Sequence, residues 1–497
     1  MKENISTKPY FIFLLPLFYV LHGYLEFIGF ASFSTLLPLL LTYFGCIILL
    51  WLLLIFIFRN KIKAALMCMA VAGFYLFFGA IFDFLKAYSP WPFLYKYSVL
   101  LIAGLTVMIC IFIFLHKTSS ALKRPVLFLN LLLLIFVLVD LGQALFNANR
   151  TTKQIWKGAP NQANGIIPDT VNKPDIYLLV FDGYSSSFGL KQVFGFDNSS
   201  FDSSLANRQF SLIPHSRSNY STTSFSMAST LNMDYLYWLD ASKWIKKKDY
   251  ALSTTQLYDN KVMGFLVNNG YEIVNHSIFD IKGHPSIVNN EWRSIYSNII
   301  SEGTLGMRLV IQFRWWLTGT PVINKLLPFF AFENQELNNR NSLDNVMKES
   351  ERQRKKPRFV YGHFLMPHYP YYRTKTGFHR PPDEFDDEAW FAGPDNYYTE
   401  YLQYTNQEIL KLIDTIKKNT KEQAVIILMS DHGYHYDAPA DKKKYVWNNL
   451  NAWYLPEGKP VQLHDNITSV NQFRILFNSL FHQQYPMMKD SLIRIYH

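Results

Sequence analysis

Apolar residues fall into two regimes along this chain. Between Tyr10 and Phe146 they run together in long stretches, roughly Tyr10–Tyr24, Phe33–Phe58, Ala64–Phe84, Tyr97–Leu115 and Val126–Leu145. Most approach or exceed the ~20 residues that carry a helix across a ~30 Å hydrocarbon core, so they predict a bundle of about five transmembrane helices. The first stretch is short and is broken by Pro16; no small-residue cleavage site follows it, so it reads as an anchor that is kept. After the last stretch the chain turns polar and loses periodicity, with Gly158, Pro160, Gly165 and Pro168 marking a linker. The expected division is a bundle over 1–147, a linker over 148–173 and a second domain over 174–497.

In that second domain the apolar runs are short and end in polar groups. Asp175-Ile-Tyr-Leu-Leu-Val-Phe181 is followed by Asp182-Gly183, and Ala424-Val-Ile-Ile-Leu-Met429 by Ser430-Asp431-His432-Gly433. Unbroken apolar runs of this length predict strands of a parallel sheet buried on both faces. Ligands bind at the carboxyl ends of such strands, which puts Asp182, Asp431 and His432 where a site forms in an α/β fold. A third strand is expected at Phe359, running into a turn that carries His363 and His368. The periodicity of Leu402, Ile409, Leu410, Ile413 and Ile416 predicts a helix over Tyr397–Asn419. Gly264–Val274 reads as helix, turn and strand, Phe210–Pro214 as a strand, and Ser469–Asn478 as a late amphipathic helix.

Charge adds orientation. Lys2 and Lys8 precede the first span, Arg59, Lys61 and Lys63 follow the second, and Lys117, Lys123 and Arg124 follow the fourth. The positive-inside rule makes that side cytoplasmic, and an odd number of spans puts the second domain outside. Lys86, Lys96, Arg150, Lys153 and Lys157 dilute the bias. The formal net charge of +10 over 497 residues suits a surface facing anionic lipid or phosphate. It makes no case for nucleic acid, because no basic stripe accompanies it. The only cysteines, Cys46, Cys68 and Cys110, lie in the apolar third, which leaves the second domain without disulfides or thiolate metal ligands. Among the acids of the spans, Asp140 lies deepest, a place to hold a lipid headgroup or cap a neighbouring helix.

One more segment bears on chemistry. Ser216 to Asn232 begins as a loop dense in hydroxyls and continues as a stretch in which Phe225, Met227, Ala228 and Leu231 share a helical face. A hydroxyl at a helix start gains from the backbone N–H groups and the positive dipole end, a setting that suits phosphate. Thr222 and Thr223 are the nucleophile candidates; a capped helix with no further role is the plainer reading.

Asp182 after a strand, then Asn219-Tyr220-x-x-Thr223-x-x-Ser226-x-x-Ser229, then Ser430-Asp431-His432-Gly433 resemble, in that order, the sulfatase-like branch of the alkaline phosphatase superfamily. The nearest likeness is to membrane-anchored enzymes such as lipoteichoic acid synthases and lipid A phosphoethanolamine transferases. The resemblance implies an α/β/α domain with a central, mostly parallel sheet behind a five-helix bundle. It implies Asp182, Thr223, Asp431 and His432 as ligands of one divalent metal, manganese or zinc, with Thr223 also the nucleophile. His368, His363 and His435 become candidates for facing substrate, although His363 also reads as a packed strand histidine and His435 as a surface one. Metal coordination makes a threonine alkoxide available near neutral pH, which the side chain alone does not. The segment Lys442–Ala452 offers no match to the downstream histidine of two-metal members, which leaves a second metal in doubt.

The implied activity moves a phospho-headgroup, phosphoglycerol or phosphoethanolamine, from a membrane phospholipid through a phospho-threonine to an envelope glycan or lipid. Its implied place is the cytoplasmic (inner) membrane of a bacterium, with the catalytic domain on the periplasmic or extracellular side. The alternative is a sulfatase-like hydrolase, a phosphodiesterase or sulfuric ester hydrolase, with water as acceptor. A formylglycine sulfatase needs Cys or Ser followed by Pro-x-Arg, whereas Thr223 is followed by Ser224-Phe225-Ser226. A membrane sensor on an inactive scaffold is a third reading, against which the intact Asp182, Thr223, Asp431 and His432 stand.

Overall fold

The computed structural model describes residues 8–25, 28, 36–155, 165–240, 242–286, 295–318, 333–381, 396–434, 441–456 and 464–495. The chain forms two compact units, one of Met1–Ala159 with Glu291–Arg314, the other of Pro160–Asn290 with Trp315–His497.

The first unit is helical: α1 (Phe11–Tyr24), α2 (Leu37–Phe58), α3 (Lys61–Tyr88), α4 (Tyr97–Lys117) and α5 (Lys123–Ile155). Among the described residues, α2, α3, α4 and the Lys123–Phe146 part of α5 are long and apolar enough to cross a membrane. Helix α1 has 14 residues, about 21 Å at 1.5 Å per residue, and is shorter than a full span. It packs along α5, where Asn130 accepts a hydrogen bond from Phe11 N (2.8 Å) and donates to the Lys8 carbonyl (2.8 Å). Asp140, buried on α5, meets the exposed imidazole of His22 on α1 at 3.2 Å.

The same unit takes in a segment from far along the chain. Helices α11 (Ile295–Ser301) and the start of α12 (Leu305–Thr318) pack among the spans. Tyr19 Oη donates to the Ile300 carbonyl (2.8 Å), Tyr43 Oη to Ser301 Oγ (3.1 Å) and Gly79 N to the Gly303 carbonyl (2.8 Å). A Cβ on Gly79 would lie 2.7 Å from that carbonyl oxygen, so the approach needs a residue without a side chain. Arg308 pairs with Asp83.

The second unit is built on one six-stranded sheet of β1 (Ile176–Phe181), β2 (Ser211–Leu212), β3 (Glu272–His276), β4 (Arg358–Phe364), β5 (Val425–Met429) and β6 (Asn451–Tyr454), in the order β2-β6-β5-β1-β4-β3. The four strands β5, β1, β4 and β3 run parallel, while β6 and β2 join antiparallel at one edge. Every residue of β1, β4 and β5 is buried, as their apolar composition requires of strands covered on both faces. Alternate residues serve opposite cores. Ile176, Leu178 and Val180 meet α8 (Thr223–Asn232), α10 (Lys261–Asn268) and α15 (Gln472–Phe481). Tyr177, Leu179 and Phe181 meet α6 (Ser187–Phe194), α7 (Ser199–Ala206), α13 (Glu333–Glu351) and α14 (Tyr397–Asn419). The remaining helix, α9 (Lys247–Tyr258), follows α8 and packs beside it. The result is the three-layer α/β/α arrangement expected, with β6 the element the apolar pattern did not announce.

Register decides where the strands stop. Val180 pairs with His363 on one side and Met429 on the other, so β1, β4 and β5 end level. At the opposite end, buried Asp175 accepts from the Arg358 guanidinium (2.6 and 3.0 Å) and from Arg358 N (2.9 Å), tying β1 to β4. Without Asp175, Arg358 would keep Glu349 at 3.0 Å but lose the acceptor of its N, Nε and Nη2 donors. Asp175→Ala is therefore expected to lower the stability of the second unit by about 1–3 kcal/mol, read from thermal or denaturant unfolding in detergent; a loss below measurement error would contradict this role.

Candidate metal centre

At the level carboxyl ends, backbone geometry hands side chains to one point. Asp182 N donates to the Phe364 carbonyl (2.9 Å), which extends the β1–β4 ladder by one residue. Gly183 then turns the chain with φ +69°, a conformation that costs a side-chain-bearing residue, and its N–H donates to Asp431 Oδ1 (3.0 Å). Tyr398 of α14 clamps the turn, donating to the Gly183 carbonyl (2.9 Å) and accepting from Ser185 N (3.1 Å). After β5, Ser430 Oγ accepts from Tyr184 N (2.9 Å) and donates to the His432 carbonyl (2.6 Å). Ser226 of α8 donates to the Asp431 carbonyl (2.6 Å), fixing α8 against the Asp431 turn. A Cβ at Gly433 would strike the Asn448 carbonyl at 2.4 Å, so this close approach also demands glycine.

The structure brings Asp182, Thr223, Asp431 and His432 together. Thr223, the first residue of α8, donates from Oγ1 to Asp182 Oδ2 (3.4 Å) and lies 3.2 Å from His432 Nε2. Thr222, the competing nucleophile candidate, is the N-cap residue before it. His432 Nε2 is 3.1 Å from Asp431 Oδ2 and 3.9 Å from Asp182 Oδ1. Its other nitrogen, Nδ1, donates to the Gly433 carbonyl (2.8 Å), which directs the Nε2 lone pair at the carboxylates.

His363, read from the sequence as substrate-facing or packed, lies in the same cluster. Its Nε2 is 3.5 Å from Asp182 Oδ2, its Nδ1 is 3.2 Å from Tyr361 Oη, and the ring is buried. Among the described residues, Asp182, His363 and Asp431 each offer a ligand atom, all within 4.8 Å of one another. Asp182 Oδ1, Asp431 Oδ2 and His363 Nε2 are buried and make no hydrogen bond. Three unsatisfied electron-pair donors of nitrogen and oxygen type converging on one spot fit a divalent cation, which the donor chemistry does not narrow to zinc or manganese. His368 is half-buried with Nδ1 donating to the Tyr369 carbonyl (2.6 Å); it and His432 flank Gly183, each about 4 Å from where a Cβ would sit. His435 lies outside the described residues. Downstream of it, His464 is exposed and pairs with Asp490 at 3.3 Å.

Electrostatics matches the geometry. Burial pushes the Asp182 carboxyl up, but His368, His363 and His432 together hold it well below the usual carboxylate range. Burial pushes His432 down, and Asp431 and Asp182 outweigh it, so the imidazole keeps its proton above the ordinary histidine range. Burial, with Asp431 and Asp182 adding, raises Tyr361 far enough to keep it a neutral phenol beside His363.

Residues 215–485 match the family model described as Sulfatase. No curated protein matches the chain. Among solved structures, the C-terminal periplasmic domain of EcEptC from Escherichia coli aligns at 14% identity over 68% of this chain and 94% of that one, TM-score 0.41. The integral membrane protein lipooligosaccharide phosphoethanolamine transferase A from Neisseria meningitidis aligns at 14% over 90% and 88%, TM-score 0.37. The lipoteichoic acid synthase LtaP from Listeria monocytogenes aligns at 12% over 68% and 78%, TM-score 0.38.

A cation must displace the proton that His432 holds in the metal-free cradle. Affinity for manganese or zinc is thus expected to rise with pH through and somewhat above the histidine range, with proton release that fades once His432 is neutral. Titration calorimetry in two buffers of different ionisation enthalpy checks this, and pH-independent affinity would contradict it.

Proposed function

This chain belongs to the sulfatase family, and from its buried cradle and membrane spans we propose a metal-dependent phospho-headgroup transferase working beside a bilayer. The observation that carries the reading is Thr223 Oγ1, 3.2 Å from His432 Nε2 and 3.4 Å from Asp182 Oδ2, at the first turn of α8. Asp182, Asp431, His432 and Thr223 would hold one divalent cation, with His363 adding its nitrogen to the cation rather than to substrate. When bound, that cation would supply Lewis acidity, lowering the hydroxyl's pKa and offsetting charge on the phosphoryl oxygens.

The residues then have separate tasks. Thr223 Oγ1, its hydroxyl proton already given up to solvent, attacks the phosphorus of a phospholipid headgroup, a Thr–O–P bond forms, and the bond from phosphorus to the diacylglycerol oxygen breaks. His368 Nε2 gives the proton that the departing diacylglycerol oxygen needs, while Nδ1 stays with the Tyr369 carbonyl and fixes the ring. In the second half an acceptor hydroxyl from an envelope glycan or lipid attacks the same phosphorus, returns its proton to His368 and frees Thr223. The N–H groups at the start of α8 favour the anionic phosphoryl group in both halves. The four long apolar helices would keep this unit with its lipid donor, and the basic loops support the reading that it works on the exported side of a bacterial cytoplasmic membrane. Phosphoglycerol and phosphoethanolamine are both accommodated by this chemistry.

Labelled phosphatidylglycerol and phosphatidylethanolamine test the reading. The wild type should release diacylglycerol in a chelator-sensitive, metal-restored reaction and carry the headgroup mass on Thr223. Thr223→Ala should lose at least about 10³-fold in turnover; release at the wild-type rate would refute the nucleophile. Free headgroup in the presence of native envelope material, with none on an acceptor, would favour the hydrolase.

A further inference from the structure

We infer that the second unit carries its own docking surface for an anionic bilayer, formed by Tyr237–Lys248 and the strap Pro486–Arg494. Trp244 is 70% exposed and Tyr237 66% exposed, although both are of a size and polarity that normally finds cover in a soluble domain. Around them Lys243, Lys246, Lys247 and Lys248 are exposed. Ile245 packs into the core and Asp249 accepts from Lys246 N (2.8 Å), so the loop is pinned while its aromatic and lysine side chains face out. Asp240 offsets Lys243 at 2.6 Å and half-buried Asp490 of the strap meets His464 at 3.3 Å, so cations still outnumber acids along the two segments.

The strap is pinned just before this loop begins. Tyr235 Oη donates to the Lys489 carbonyl (2.6 Å) and accepts from Ser491 N (3.0 Å), while Arg474 reaches from Met233 to the Pro486 carbonyl. The strap adds Met487 (47% exposed), exposed Lys489 and exposed Arg494. Large apolar tips among flexible cations are what a headgroup layer accommodates: the rings enter the interface and each lysine adds attraction to anionic lipid. Bilayer is favoured over an acidic polymer because the chain is tied to a membrane by its own spans, and because exposed Trp244 and Met487 gain little from a polar chain. The inference does not depend on Thr223 or on any metal.

The test uses the full chain in proteoliposomes. With Cys46, Cys68 and Cys110 changed to Ala, Trp244→Cys carries an environment-sensitive fluorophore, and Phe378→Cys, also exposed, serves as the comparison site. In vesicles containing phosphatidylglycerol the label at 244 should shift blue and be quenched by a headgroup nitroxide lipid, and the label at 378 should not. High salt or phosphatidylcholine alone should reverse this, and each Lys→Gln change at 243, 246, 247 or 248 should weaken docking about fivefold. If the cysteine-free protein misfolds, trypsin cleavage after Lys246–Lys248 in the wild type should be slower in anionic than in neutral vesicles. Equal quenching at both sites, quenching indifferent to lipid charge, equal cleavage rates, or shielding only after an acidic glycan is added would each overturn the proposal.

Discussion

Two buried carboxylates whose oxygens point at a common spot are the constraint from which the rest of the catalytic unit follows. Asp182 and Asp431 are each at most 1% exposed, and each keeps an oxygen that no hydrogen bond satisfies. In a poorly polarisable interior such a pair repels strongly unless positive charge stands between. His432, whose imidazole both carboxylates hold in its charged form, supplies part of that charge, and the unsatisfied Asp182, Asp431 and His363 atoms leave donors suited to a cation. The level register of β1, β4 and β5 is what makes the convergence possible, since a shift of one residue in any strand would turn its terminal side chain to the other core.

Around that point the fold spends hydrogen bonds on backbone rather than on substrate groups. Tyr398, Ser226 and Ser430 grip the carbonyls and amides of the Asp182 and Asp431 turns, so ligand directions are set by main chain. This stiffness fixes the directions of the donor atoms before any charge reaches them. Helix α8 is short and buried along nearly its whole length, and its first residue, Thr223, is held against the cluster.

Much of this was legible beforehand because burial on both faces writes itself as unbroken apolar runs. β1 and β5 are legible as such runs and helix Tyr397–Asn419 as a helical periodicity, while the polar residues after the two runs point to Asp182, Asp431 and His432. β6 escaped because its four residues include Asn451 and carry no alternation, and its pairing is antiparallel at the sheet edge. His363 reads from the sequence as either substrate-facing or packed, since strand pattern tells that a side chain is buried and not which neighbour it meets; the pairing of Val180 with His363 brings it beside the carboxylates. Tyr398 had no local signal at all, because its role is a contact with Gly183 more than two hundred residues away. The segment Ile295–Thr318 was the least readable, being an amphipathic stretch whose packing partners belong to the helical bundle.

That segment, threaded between strands β3 and β4 of the catalytic sheet, yet housed among the spans through the Gly79–Gly303 contact, makes the catalytic unit discontinuous in sequence. A polypeptide beginning at the linker would carry two orphaned apolar helices and leave the Ile300 and Gly303 carbonyls without the donors that Tyr19 and Gly79 provide. Such a fragment is poorly suited to life free in water. The helical unit is completed by chain that lies between β3 and β4, so any exchange of the anchor must keep the Tyr19, Tyr43 and Gly79 surface that receives this segment.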